Sequence, residues 1–164
     1  MSQSSESTAF REGMSRLGAA ITVLTSDGPA GRHGMTASAV VSVTDNPPTL
    51  IVCVNRQNRS HDLFVENGVV AVNVLGGRHR DLSGAFAGRG AEDRFAGHDW
   101  KVLSTGAPVL GDAEVAFDCR IADVREVGSH SVLTCAVQAV SLSPDRPESL
   151  IWFGRGFHHL HAAE

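Results

Sequence analysis

Between Gly34 and Val43 a strand-like run interleaves apolar residues with the small hydroxyl side chains of Thr36, Ser38 and Ser42. A strand built only to fill a core would carry larger side chains there. Small residues let a flat ligand approach the backbone, and hydroxyls add hydrogen bonds without bulk. A second run, residues 49–55, follows a turn that contains Pro47 and Pro48 and ends in Cys53, Val54 and Asn55. Such a surface suits a bound ring that brings its own reactivity.

Four further groups could serve that ligand. Arg56, Gln57, Asn58, Arg59, Ser60 and His61 lie between a strand end and a helix start. A helix N-terminus offers free N–H groups and the positive end of a dipole, so a phosphate could sit there, with the Ser60 hydroxyl and Arg56 or Arg59 helping. The simpler reading is that Asn58 or Ser60 caps the helix. Arg94 and Phe95 pair a cation with an aromatic beside a glycine-rich stretch, as a phosphate contact with a lid or as a surface turn. His130, after Gly128 and Ser129, begins a long strand, either as a solvated turn residue or as a hydrogen-bond partner for a ring. The tail from Phe153 to His161 holds three of the eight histidines, yet no cysteine or carboxylate completes a metal set, so none is expected. An aromatic–histidine strip closing over a ligand, or packing between subunits, suits the tail better.

The missing motifs narrow the chemistry. There is no G-x-S-x-G elbow and no H-E-x-x-H, and no Ser–His–Asp order stands out, so acid–base and nucleophilic mechanisms lack carriers. The chain also lacks G-x-G-x-x-G after a strand and G-x-x-x-x-G-K-[ST], so a dinucleotide would not be held in the Rossmann manner. Hydride transfer remains open. There the cofactors react, and the protein holds two flat rings about 3–3.5 Å apart while excluding water.

The positioning elements are mostly strands. Phe10, Met14 and Leu17 share one face of a short helix that stops at Gly18, after a polar start (residues 1–8) expected to be disordered. Strands are expected at 21–25, 36–43, 49–55, 69–75, 115–124, 131–142 and 150–153, with short helices at 60–66 and 80–87 and a polar tail. About seven strands, with no alternating β-α rhythm, point to a closed or half-open antiparallel barrel in a single domain, 1–164. Cys119 and Cys135 read as core residues, and three scattered cysteines do not make a disulfide framework. The net charge of −4 argues against nucleic acid, and no run of about 18 apolar residues suggests a membrane span. A cytoplasmic protein is expected.

Taken in order along the chain, these pieces resemble the short-chain flavin reductases, the reductase components of two-component monooxygenases. The resemblance rests most on residues 36–48 and on Cys53-Val54-Asn55. Asn73-Val74-Leu75, Phe86-Ala87-Gly88, Arg94-Phe95, Phe117-Asp118-Cys119, Gly128-Ser129-His130 and Arg155-x-Phe157-His158 support it. It implies a mainly β fold, an FMN-binding split β-barrel of Greek-key type with a few short helices, that forms a homodimer. It implies that Thr36, Ala37, Ser38, Ala39 and Val40 line the isoalloxazine, with Cys53, Val54 and Asn55 beside it. Ser42 and Ser60 would serve the phosphate end with Arg94, and Phe95 would stand near the loop. His130 would lie on the nicotinamide side, with Phe157 and His158 bordering the same cavity. The implied reaction is hydride transfer from NADH or NADPH to FMN or FAD, with reduced flavin passing to a partner monooxygenase. The rivals are a sensor or storage module with tightly held flavin, and an oxidase of the pyridoxamine-phosphate type on the same barrel.

Overall fold

A computed structural model describes residues 3–88 and 93–163. Helix α1 (Gln3–Ser15) precedes β1 (Ala19–Ala20), β2 (Thr22–Ser26), β3 (His33–Ala37), β4 (Val40–Asp45) and β5 (Pro48–Asn55). Helix α2 (Arg59–Asn67) leads into β6 (Val69–Val74), and a 3-10 turn at Gly77–His79 runs into α3 (Arg80–Ala87). Then come β7 (Trp100–Val102), β8 (Pro108–Leu110), β9 (Val115–Val127), β10 (His130–Leu142), β11 (Glu148–Phe153) and β12 (Gly156–His161).

Seven strands form one antiparallel sheet in the order β3-β2-β6-β9-β10-β5-β4. Its two outer strands, β3 and β4, are consecutive in the chain and are joined by Ser38 and Ala39 alone. The barrel is therefore closed at one seam by covalent chain instead of a ladder, which makes it a split barrel. Helix α2 carries the chain from β5 to β6 past the intervening β9–β10 hairpin, a Greek-key connection. Asn58 caps α2 by accepting from the Ser60 amide, and Gly68 ends it at φ 67°, a left-handed conformation that favours glycine.

Two apolar clusters share β2 and β6. Leu24, Val52, Val70, Val72, Leu133 and the Phe64 ring fill the barrel. Val23, Val69, Ala71, Leu82, Phe86, Val109 and Leu150 pack on its outer side under α3, β8 and β11. Covered on both faces, β2 is buried throughout, and so is β6 up to its last residue, so both read as continuous runs instead of alternating ones. Cys119 and Cys135 lie in the barrel core as expected, and burial pushes both thiols well up, Cys135 to about 12.

Several boundaries differ from expectation. The first helix starts at Gln3, ahead of the expected span 7–17; Met1 and Ser2 lie outside the described residues. The run 36–43 is two strands, because β3 pairs with β2 whereas β4 pairs with β5. The polar tail is strand β12, which turns back on β11 in register from Phe153↔Gly156 to Glu148↔His161. Among the described residues no helix is long and apolar enough to cross a membrane.

Candidate functional site

Strand β3 and its continuation run past three cavities that share walls. The first, about 440 Å³, is bounded by His33 and Met35 of β3, by Asn58 and Arg59 at the start of α2, by Ala87, and by Arg94. The second, about 290 Å³, lies along Thr36, Ala37 and Ser38 between Ala87 and the Trp152 and Phe157 rings. The third, about 790 Å³, opens over Ser38, Ala39, Val40, Val41, Ile51 and Cys53, with Trp152 and α1 on its other sides. Ala87 links the first to the second, and Ser38 and Trp152 link the second to the third. They form one groove along residues 33–41.

The groove is chemically graded. Its first end holds two arginines and the N-terminus of α2, a positive surface for an anion. Among the described residues neither Arg59 nor Arg94 has a carboxylate partner within 4.0 Å. His33 sits between them. Its Nδ1 is 2.6 Å from the Ser60 hydroxyl oxygen. Burial, and then the Arg94 and Arg59 charges, hold its imidazole below the ordinary histidine range. The far end is apolar and built on small side chains. There the carbonyls of Ser38 and Ala39 are used, by the Val40 and Cys53 amides at 3.1 and 3.0 Å. Their own amides donate to no group among the described residues. Two unspent N–H groups at the barrel seam can meet a carbonyl or an anionic ring edge.

Helix α1 overhangs the wide end. Phe10, Met14 and Leu17 line it, and the helix is tied to the β11–β12 turn. The Gly154 amide donates to the Ser15 carbonyl at 2.7 Å. Arg155 pairs with Glu12 at 2.9 Å and holds that carboxyl below the usual range. Arg155 does this from φ 61°, a conformation uncommon for a residue with a Cβ.

A family model described as "Flavin reductase like domain" matches residues 14–161. The chain belongs to the flavin reductase-like family. An FMN reductase (NADH) RutF of Pseudomonas syringae pv. syringae (strain B728a) is 48% identical over 153 residues, covering 93% of this chain and 85% of its own. Among solved structures, a putative flavin reductase from Haemophilus somnus 129PT superposes with TM-score 0.88 at 40% identity, covering 93% of this chain and 98% of that one. The styrene monooxygenase flavin reductase SMOB from Pseudomonas putida S12 gives 0.84 at 26% identity, covering 94% and 99%.

In this flavin reductase the residues singled out from sequence divide into three groups. Thr36, Ala37, Ser38, Ala39, Val40, Cys53, Arg94 and Phe157 border the groove. Thr36 also donates to the Ser83 carbonyl at 2.6 Å, fixing α3 against β3. Ser60 and Phe95 stand behind the wall. The Ser60 hydroxyl is buried and committed to His33 and to the Gly34 carbonyl at 3.3 Å, so it meets the cavity through His33 alone. Phe95 packs edge-on against Phe86 and Trp100 at 5.1 and 4.9 Å, with Arg32 over its face.

The third group lies away from the groove. Ser42 is exposed on β4, Val54 points into the barrel core, and Asn55 accepts from the Gln57 amide in the turn before α2. His158 is exposed and bonds the Phe153 carbonyl at 3.0 Å. His130 is exposed too, paired with Asn55 across β10 and β5. Strand alternation sets it on the same sheet face as Cys53, about 7–8 Å along the diagonal.

The hairpin that presents His130 is firmly braced. Arg56, expected near a phosphate, instead bonds Glu126 at 2.8 Å and the Gly128 carbonyl at 2.7 Å. Ser131, His61 and Asp62 align as hydroxyl, imidazole and carboxylate at 2.9 and 2.7 Å. Ser131 is fully buried, so no substrate reaches it, and the set ties α2 to the start of β10. Sequence reading missed Trp152, which walls two of the cavities, and His33.

Proposed function

We propose that this chain is an NADH-dependent FMN reductase that passes reduced flavin to a separate flavin-using oxygenase. The carrying observation is the graded groove: cations at one end and small residues with two unspent amides at the other, set along β3 and the seam that follows it. Residues 33–37 alone span about 13 Å at strand spacing, and the groove continues past the Ser38–Ala39 seam, room for a long molecule with an anion at one end and a flat ring at the other. The names of the RutF and SMOB relatives support the same reading. When bound, flavin supplies the hydride-accepting ring, and NADH supplies the hydride.

The chain's own residues bind and orient. Arg59, Arg94 and the α2 N-terminus hold the phosphate. Thr36, Ala37, Trp152 and Phe157 flank the middle of the ligand. At the seam, the Ser38 and Ala39 amides face negative charge as it develops, an electrostatic contribution that costs no reorganisation. Cys53 and Val40 floor the ring, and His130 stands on the nicotinamide side. We also infer a homodimer, supported by exposed Val41, Val43, Val140 and Leu142 on β4 and β10. A cytoplasmic site fits three free cysteines.

Stopped-flow oxidation of NADH with excess FMN tests the function. Turnover well beyond one equivalent of flavin is the expected result. A single equivalent reduced and retained would instead identify a sensor or storage protein. Inertness to NADH with oxidation of a phosphorylated amine would identify an oxidase.

A further inference from the structure

Resting on the phosphate-seat reading above, we propose that His33 is a proton-coupled clasp that selects a terminal phosphate monoester over a phosphodiester. In the proposed clasp Ser60 Oγ gives its one hydrogen to the Gly34 carbonyl, 3.3 Å away, and receives one from His33 Nδ1, 2.6 Å away. With the proton on Nδ1, Nε2 of the neutral ring carries a lone pair, which repels a phosphate oxygen. Only the imidazolium offers Nε2–H. Phosphate therefore engages His33 by bringing a proton in with it.

The surroundings set the direction of this coupling. Arg59 faces His33 from α2 and Arg94 from the segment after α3, and with burial they favour the neutral ring in the empty site. Arg32, next in sequence, is occupied by Asp27 at 3.2 Å. Asp62 of α2 is turned to His61, β2 sets the uncharged Ser26 opposite, and α3 contributes Phe86 and Ala87. Asp93 adjoins Arg94, but no carboxylate among the described residues lies within 4.0 Å of either arginine. A phosphate monoester carries about −1.5 to −2 at neutral pH and three terminal oxygens, enough to reverse the repulsion and to occupy three donors. A diester phosphorus offers two such oxygens and one charge, so the third donor finds no match. FMN presents the monoester; FAD presents a pyrophosphate, each phosphorus of which likewise offers two terminal oxygens and one charge; riboflavin presents neither.

Calorimetric titration of the full chain with FMN, FAD, riboflavin and inorganic phosphate, in two buffers of different protonation heat, tests the assignment. At about pH 7.5 the phosphate's own second proton, with pKa near 6, contributes little and in the direction of release. Net proton uptake on binding FMN or inorganic phosphate is therefore the signature of His33. FMN affinity should weaken as pH rises across about 5 to 8, the range in which histidine loses its charge, while riboflavin affinity stays flat. His33→Asn, which can still bond Ser60 but has no Nε2, should abolish the uptake and weaken FMN about tenfold or more, leaving riboflavin unchanged. His33→Gln should lose the uptake equally, separating protonation from packing. No uptake in the native chain, or undiminished uptake in both variants, overturns the proposal. Arg59→Gln with Arg94→Gln should weaken FMN more than riboflavin at every pH. If it does and uptake is missing, His33 alone is misassigned; if it does not, the phosphate seat itself is wrong and the clasp falls with it.

Discussion

His130 is the residue whose proposed role depends most on how it is held. It stands on a hairpin end fixed by Arg56, Glu126 and the buried His61–Ser131 contact, while its own side chain, among the described residues, hydrogen-bonds to Ser129 Oγ alone, at 2.9 Å. Truncation there removes an imidazole and leaves the brace intact. His130→Ala should slow reduction of bound flavin by NADH in single-turnover experiments, with flavin Kd changed less than twofold, about 0.4 kcal/mol. Equal losses in both quantities would remove it from the nicotinamide side. At this scale the sequence was legible where one side chain declares its chemistry. Arg94 was recognisable as a cation beside a glycine-rich stretch. Arg56 and Arg59 were indistinguishable in sequence, and only the fold sends one to Glu126 and the other to the groove. His33 was invisible because its partner Ser60 lies 27 residues away.

At the scale of elements, the groove exists because α3 lies flat on β3. Gly34 permits this: a Cβ there would come within 2.6 Å of the Phe86 ring and 2.9 Å of the Leu24 carbonyl oxygen. The carbonyl cannot retreat without breaking the β2–β3 register, so the ring must move. Gly34→Ala should destabilise the fold by about 1–3 kcal/mol, read as a lowered denaturation midpoint. It should also weaken FMN, since Phe86, Ala87 and Gly88 wall the cavity proposed to seat the phosphate. Unchanged stability would mean that the helix is free to shift. Helix and strand types followed from periodicity, and α3 was read at its observed limits. The break at Ser38–Ala39 was not readable, because alternation of small and apolar residues continues across it. Partner choice alone ends one strand and starts the next.

For the whole molecule, the two sides of the barrel differ. One is covered by α3, β8 and β11, while the other leaves Val43 56%, Val140 50% and Leu142 73% exposed along β4 and β10. Such a face is expected to bury itself against a second copy. Sedimentation should give twice the 17.3 kDa chain mass at micromolar concentration, and Val43→Glu with Leu142→Glu should shift it toward the single-chain value. A native chain that stays at 17.3 kDa would discard the dimer. The barrel class was legible from the count and rhythm of strands. Strand β12 was not, because its sequence is rich in histidine and lacks the apolar alternation that marks a half-buried strand; its order comes from pairing with β11.

The seam between β3 and β4 has a consequence for chain connectivity. All six neighbouring pairs of the seven-stranded sheet are independent of the Ser38–Ala39 peptide bond. Cleaving that bond would leave every ladder with its partner, so fragments 1–38 and 39–164 should reassemble into the barrel when mixed. The reconstituted pair would carry a carboxylate at Ser38 and an ammonium in place of the Ala39 amide, with the Ser38 amide unchanged. Architecture and ligand binding, inseparable in most sheets, are here divisible at one bond.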